Sequence, residues 1–253
     1  MQENSGEDKD TINPPRPVLG RRVTCQYYSP ALVLSSNDEK RLQVVLELLQ
    51  TEEKYNCCLH TLKSVFEDKL YSTNIIPVKD VESIFPAGLK DIREIHDRLC
   101  SALKVRIQQW NYRSKVGDVF VHFFSSKNQF DLLGQYSSYS NNFPKAIRTI
   151  SRCIRYSTEF ESFLQNSSNG PSWKGLDLHA LLLNPIQRLP RYILLLKQLM
   201  RFTDVNHPDR VHVEQALVTM SHTVTVLNNS IDSSLKVACE YTTRKRYNNM
   251  LSI

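Results

Sequence analysis

Glycine is scarce, at only seven of 253 residues, and the sequence contains no glycine-rich phosphate loop. This scarcity disfavours a sandwich or barrel, because those folds need many tight turns. No apolar run approaches the roughly 20 residues of a membrane span. The first 20 residues are polar, so we expect no secretory signal. We therefore expect a soluble globular protein that is not a sandwich or a barrel.

Cysteine and histidine show no metal-binding or redox pattern. None of the six cysteines is in a CxxC pair, and the seven histidines are scattered without an HExxH motif. We therefore predict reduced thiols in a cytoplasmic protein, with no metal site and no bound cofactor. No nucleophile–base arrangement supports a hydrolase or a transferase.

The formal net charge is +6, which is compatible with an anionic partner or simply with a solvated basic surface. Few aromatic residues lie among the basic ones, so binding of nucleic acid is not expected. Basic residues are also concentrated in the last segment, at Arg244–Arg246. This segment, taken as a tail over residues 241–253, could contact an anionic membrane surface.

Residues 1–35 are rich in proline and basic residues and show no apolar periodicity. We therefore predict a disordered N-terminal arm. Pro14–Pro17 could bind an SH3 domain as a polyproline segment. A domain over residues 36–240 is expected to follow. Its start is marked by Ser36 and Glu39, which have the spacing of a helix-capping box.

Apolar residues at helical spacing predict long amphipathic helices through this domain. The first helix, of some 35 residues, has an apolar face formed by Val44, Leu48, Tyr55, Leu59, Leu62 and Phe66. A short helix over residues 77–85 and a long one ending near Trp110 follow, and Asn141–Asn142 suggest a turn or helix end. A last helix begins after residues 206–209 and has an inner stripe of Val213, Leu217, Met220, Val224, Leu227 and Ile231.

Residues 181–200 form the helix around which the rest is organised. One face is wholly apolar: Leu182, Ile186, Leu189, Ile193, Leu196 and Met200. A second stripe mixes amide, guanidinium and leucine side chains, which is typical of a contact surface: Leu183, Gln187, Arg191, Leu194 and Gln198. A buried helix kinked at Pro185 and Pro190 is the alternative, with Arg191 neutralising a buried carboxylate and Gln187 satisfying the kinked backbone.

Three separate segments resemble one family. The sequence PIQRLPRYILLL (185–196) resembles the signature helix of the Dbl-homology (DH) domain, the exchange-factor module for Rho-family GTPases. LELLQTEEKYNCCL (46–59) resembles its first helix, and TMSHTVTVLN (219–228) resembles part of its last. The resemblance covers roughly residues 37–238 and implies an elongated, all-α bundle without a sheet. A pleckstrin-homology domain, which usually follows in this family, is not expected within this chain.

The resemblance also implies a set of GTPase-binding residues. Glu47 would contact switch I, beside Thr51, while Arg191 and Asn228 would contact switch II, with Gln187 and Leu194 next to them. Glu52 would have a structural role. Leu183 would read a discriminating side chain on the GTPase, and a leucine there favours a Cdc-type partner over a Rac-type one.

The implied function is guanine-nucleotide exchange on a Rho-family small GTPase, performed by protein–protein binding without covalent chemistry. GDP, GTP and Mg²⁺ would belong to the partner. Such a protein would be cytoplasmic and could be recruited to the plasma membrane. The alternative is a helical scaffold or a membrane-surface module that has no exchange activity.

Overall fold

The computed structural model describes residues 36–125, 132–168 and 177–251, and all regular elements in these ranges are helices. A π-helical segment, Leu62–Glu67, joins the first two α-helices. The α-helices are α1 Ser36–Thr61, α2 Asp68–Thr73, α3 Val78–Ile84, α4 Gly88–Gln108, α5 Gly117–Phe124, α6 Leu132–Tyr156, α7 Thr158–Ser168, α8 Leu178–Arg201 and α9 Arg210–Leu251. The predicted all-α fold is confirmed.

The predicted apolar face of the first helix is buried along its whole length. Its members are all less than 9% exposed: Val44, Leu48, Tyr55, Leu59, Leu62 and Phe66. The π-helical segment follows α1 without a break, and α2 is followed directly by Asn74, which has a left-handed φ of 52°. Asparagine tolerates this conformation better than most residues, so it suits a helix end.

Helix α8 begins at Leu178, where the Asp177 carboxylate accepts a hydrogen bond from the Ala180 amide at 2.9 Å. The helix continues through Pro185 and Pro190. Its predicted inner face is buried or half-buried, and α8 packs against both α1 and α9. Two prolines within one helix each remove a backbone donor, so this packing contributes much of the stability of α8.

A buried ion pair ties together the starts of α1, α5 and α9. Arg41 donates to the Asp209 carboxylate at 2.7 Å, and both side chains are at most 1% exposed. The same carboxylate accepts from the amides of Val116 and Gly117, at 2.8 and 2.9 Å. Asp209 therefore satisfies free amides at the start of α5 as well as the guanidinium.

The start of α5 lies against the backbone of α9, which makes glycine necessary at position 117. A Cβ atom there would lie 2.4 Å from the Val213 nitrogen. At Gly88 the nearest atom to an added Cβ is the end of the flexible Gln135 side chain. Neither glycine has a positive φ, so the two positions differ in the room available for a Cβ atom and not in backbone strain.

We expect Gly117→Ala to lower the free energy of unfolding by about 1–3 kcal/mol, the usual effect of overpacking. The matched variant Gly88→Ala should change stability by less than about 1 kcal/mol, because Gly88 is the first residue of α4 and only the flexible end of the Gln135 side chain has to move. Urea unfolding of both variants measures the difference. Equal stability of the two variants would contradict the close approach of α5 and α9.

Three expectations differ from the structure or lie wholly or partly outside the described residues. The turn expected at Asn141–Asn142 is wrong, because both residues lie within α6, which continues through Pro144. Residues 1–35, including Pro14–Pro17, lie outside the described ranges. The backbone of residues 241–251 belongs to α9, while the side chains of Arg244–Arg246 are outside the description.

No described helix is both long and apolar enough to cross a membrane.

Candidate functional site: a polar face on α1 and α8

Two neighbouring helices each present a continuous stripe. On α1, Glu47, Thr51, Lys54 and Cys58 fall within about 60° of one another at 100° per residue. On α8, the stripe formed by Leu183, Gln187, Arg191 and Leu194 spans a similar arc. Since α1 packs against α8, the two stripes can form one polar face.

A pocket of about 310 Å³ lies between the two helices and joins the stripes. Its lining residues are Thr51, Lys54, Tyr55, Cys58, Asn184, Gln187, Arg188 and Arg191. The structure thus brings together three of the predicted site residues, Thr51, Gln187 and Arg191. Sequence reasoning left Lys54, Cys58 and Asn184 out of the site, although helical spacing from Thr51 and Gln187 could have found them.

Three predicted site residues are exposed and unengaged. Glu47, Gln187 and Arg191 make no hydrogen bond or ion pair with any residue in the described ranges. Leu194 is 65% exposed, which is unusual for a leucine on a helix that is otherwise well packed. A carboxylate, an amide, a guanidinium and an apolar side chain are therefore available to a second molecule.

Four of the predicted residues do not line the pocket: Glu47, Leu183, Leu194 and Asn228. Leu183 is half-buried and packs against the core, at one end of the α8 stripe. Asn228 is exposed on α9, and its Nδ2 donates to the Asp232 carboxylate at 3.4 Å. Asn228 lies on α9, which packs against α8, but none of the residues that line the pocket belongs to α9.

A buried ionic cluster holds α1, α4 and α8 together beneath this face. Glu52 is fully buried, and its carboxylate accepts from Arg188 at 2.5 Å and from the Tyr192 hydroxyl. Its other oxygen lies 2.7 Å from Nδ1 of His96, whose Nε2 is 2.8 Å from the Tyr136 hydroxyl. The expected structural position of Glu52 is confirmed.

Arg188, and not Arg191, neutralises the buried carboxylate. The Arg188 guanidinium is 3% exposed and lies over the Tyr192 ring, 4.1 Å from its centroid. Its Nε and Nη1 atoms are buried without a hydrogen-bond acceptor, and the ring face offers them partial compensation. Gln187 makes no hydrogen bond to the helix backbone. Both structural alternatives for the exposed stripe are therefore wrong.

The environment of Glu52 predicts how stability depends on pH. Burial alone raises the pKa of Glu52, but the His96 and Arg188 charges and the Tyr192 hydroxyl outweigh it, so the pKa lies below its ordinary value. A carboxyl with a lowered pKa in the folded state stabilises the fold above its unfolded pKa of about 4.3. That contribution is lost as the pH falls through the folded pKa.

We expect the difference in unfolding free energy between wild type and Glu52→Gln to be widest at neutral pH and to close on acidification. Glutamine resembles the protonated carboxyl, so the two proteins converge once Glu52 is protonated. Urea unfolding at a series of pH values from about 7 to 3 measures this. A difference that stays constant with pH would contradict a lowered pKa at Glu52.

Comparison with known proteins agrees with the fold. The profile of the RhoGEF domain family matches residues 44–228, which include all seven predicted site residues. This match defines the class of protein as a RhoGEF domain. The chain belongs to the RhoGEF domain family.

Related proteins are much longer than this chain. It is 29% identical over 197 residues to Rho guanine nucleotide exchange factor 10 of Mus musculus, covering 77% of this chain and 14% of that protein. Protein ECT2 of Homo sapiens is 30% identical over 198 residues, covering 76% and 21% respectively. Guanine exchange factor for Rac 30 of Dictyostelium discoideum is 33% identical over 191 residues, covering 75% and 11%.

Solved structures share the fold. The DH domain of FARP2 superposes with a TM-score of 0.72 at 21% identity, covering 85% of this chain and 99% of that one. The DH/PH domains of PDZ-RhoGEF, solved in complex with activated RhoA, give a TM-score of 0.73 at 22% identity. That match covers 79% of this chain and 55% of that one.

Proposed function

We propose that this chain accelerates GDP release from a Rho-family small GTPase by binding the nucleotide-free form more tightly than the GDP-bound form. By linkage, the bound exchange factor then weakens nucleotide affinity by the same factor. Incoming nucleotide displaces the exchange factor from the GTPase. The chain contributes contacts only, so it needs neither a cofactor nor a covalent step.

The unengaged polar groups on a rigid support carry this proposal. Glu47 and Arg191 project from helices whose relative position the Glu52–Arg188 pair fixes. A carboxylate on such a helix can accept hydrogen bonds from hydroxyl and amide groups of switch I. The Arg191 guanidinium, with five donors in a fixed geometry, can hold switch II away from Mg²⁺ and phosphate, together with Asn228. Because the supporting helices are already fixed, binding has to order only the side chains themselves, at about 0.5–1.5 kcal/mol for each.

The exposed apolar residue of the stripe completes the proposed contact. Leu194, with Gln187 two helical turns away, would exclude water around the Arg191 contact. Thr51 lines the α1 side of the pocket between α1 and α8, opposite Gln187 and Arg191. Leu183, at the end of the stripe, would select a Cdc-type GTPase over a Rac-type one.

Release of a fluorescent GDP analogue from a panel of Rho-, Rac- and Cdc-type GTPases tests the proposal. We expect fast release from at least one GTPase, with the Cdc-type protein faster than the Rac-type one. Slower release from the Cdc-type protein than from the Rac-type one would contradict only the proposed role of Leu183 and would leave the exchange proposal standing. If no GTPase responds, also after removal of residues 1–35, the exchange proposal fails and a scaffold function gains support.

A further inference from the structure

A second, strongly basic cleft lies between α3, α6 and α9. It has a volume of about 790 Å³ and shares no lining residue with the pocket between α1 and α8. The charged residues that line it are Lys79, Asp80, Lys145, Arg148, Arg152, Arg155 and Glu240. We call this the basic cleft. Five cations thus face two carboxylates in one concave space.

Most of the positive charge in the basic cleft is uncompensated. Lys79, Lys145, Arg148 and Arg155 are exposed and form no ion pair with any residue in the described part of the chain. Like charges that share a concave surface repel one another and concentrate a positive potential there. A bound anion would reduce the repulsion between these cations, and an anion with several negative charges would reduce it more than one with a single charge.

One arginine in the basic cleft is held in place from below. The Asp80 carboxylate is 6% exposed and accepts from Arg152 at 2.6 Å and from the Tyr156 hydroxyl at 2.9 Å. Asp80 therefore fixes the Arg152 guanidinium at the wall of the cleft and loses much of its own capacity to repel an anion. This support distinguishes the cleft from a loose group of surface lysines.

Helical spacing aligns the other cations with Arg152. Lys145, Arg148, Arg152 and Arg155 are separated by three, four and three residues, so they lie on one face of α6. Guanidinium groups match the oxygens of phosphate with two parallel hydrogen bonds, which makes a row of arginines well suited to a ligand with several phosphates. No aromatic side chain lines the cleft in the described ranges, which disfavours stacking with nucleic-acid bases.

We propose that the basic cleft binds a polyphosphorylated inositol group, either free in solution or as the headgroup of a membrane lipid. The inference rests on the charge and shape of the cleft and does not depend on exchange activity. It adds a second binding surface, remote in sequence from the polar face on α1 and α8. A lipid ligand would bring the protein to an anionic membrane through the folded domain itself.

Titration calorimetry with inositol hexakisphosphate, and sedimentation with phosphatidylcholine vesicles containing or lacking phosphatidylinositol bisphosphate, test the proposal. The double variant Arg148→Gln/Arg155→Gln removes two exposed cations and leaves the Asp80–Arg152 pair intact. A matched variant, Lys90→Gln/Arg113→Gln, makes the same change of charge at exposed positions outside the cleft.

We expect the wild type to bind at least one probe, the cleft variant to bind at least about tenfold more weakly, and the matched variant to stay within about twofold. Both variants should unfold like the wild type, since the altered side chains are exposed. Binding to the soluble probe and not to vesicles would identify a free polyphosphate as the source of the ligand, and binding to the doped vesicles would identify a lipid. Equal weakening in both variants, or no binding of either probe by the wild type, would overturn the proposal.

Discussion

Replacing Arg191 by alanine should slow GDP release from the responsive GTPase at least about tenfold, while the protein remains as stable as the wild type. Truncating one partner of a charge-assisted interface contact costs about 2–5 kcal/mol of binding energy. Arg191 is exposed and has no partner in the described ranges, so its loss leaves the fold intact. Glu47→Ala should have a similar effect for the same reason.

Exchange rates with a fluorescent GDP analogue, measured beside urea unfolding curves, test both variants. Arg113→Ala and Glu161→Ala are matched controls, because each removes an exposed charge of the same sign from another part of the molecule. Both controls should exchange at the wild-type rate. Near-wild-type exchange by both Glu47→Ala and Arg191→Ala would show that the contact surface lies elsewhere.

Replacing Arg188, which lies only three residues before Arg191, should have the opposite effects: a large loss of stability and no direct loss of a GTPase contact. We expect Arg188→Met to lower the free energy of unfolding by about 3–5 kcal/mol, the usual cost of leaving a buried charge without its partner. The Glu52 carboxylate would lose its guanidinium while still being fully buried. Exchange would fall only because less protein is folded or because α1 moves relative to α8.

A double variant separates the lost contact from the unpaired charge. In Arg188→Met/Glu52→Leu neither member of the ion pair remains. His96 and Tyr192 lose an acceptor, but no charge of the pair is left buried alone, so the double variant should be more stable than Arg188→Met alone. Urea unfolding of the wild type, Arg188→Met, Arg191→Ala and the double variant measures this order. Stability of Arg188→Met within about 1 kcal/mol of the wild type would mean that the cluster does not hold the two helices together.

The sequence predicted the long helices because their apolar stripes follow the helical period closely. The inner faces of α1 and α8 are buried as the spacing indicated. The break at residues 206–209 was also predicted, because it interrupts the period and contains Pro208. What a regular period cannot reveal is a local change of winding, so the π-helical turn at Leu62–Glu67 was missed.

Charges were harder to place than apolar residues. Gln187, Arg188 and Arg191 lie within five residues of the sequence, and only the three-dimensional packing shows that Arg188 turns inward to Glu52. Arg41 and Asp209 are separated by 168 residues, so no local pattern links them. Asparagine at 141–142 suggested a turn, yet packing of α6 against α3, α4 and α9 keeps that stretch helical.

The buried Glu52–Arg188 pair can form only after α8 has been synthesised, long after α1. Glu52 leaves the ribosome 136 residues ahead of Arg188, on the order of ten seconds at ordinary rates of synthesis. His96, 44 residues behind Glu52, arrives earlier and gives the carboxylate a first partner on α4. A translation product that stops before α8 would expose the apolar face of α1, and it would therefore be a natural target for chaperones and proteases.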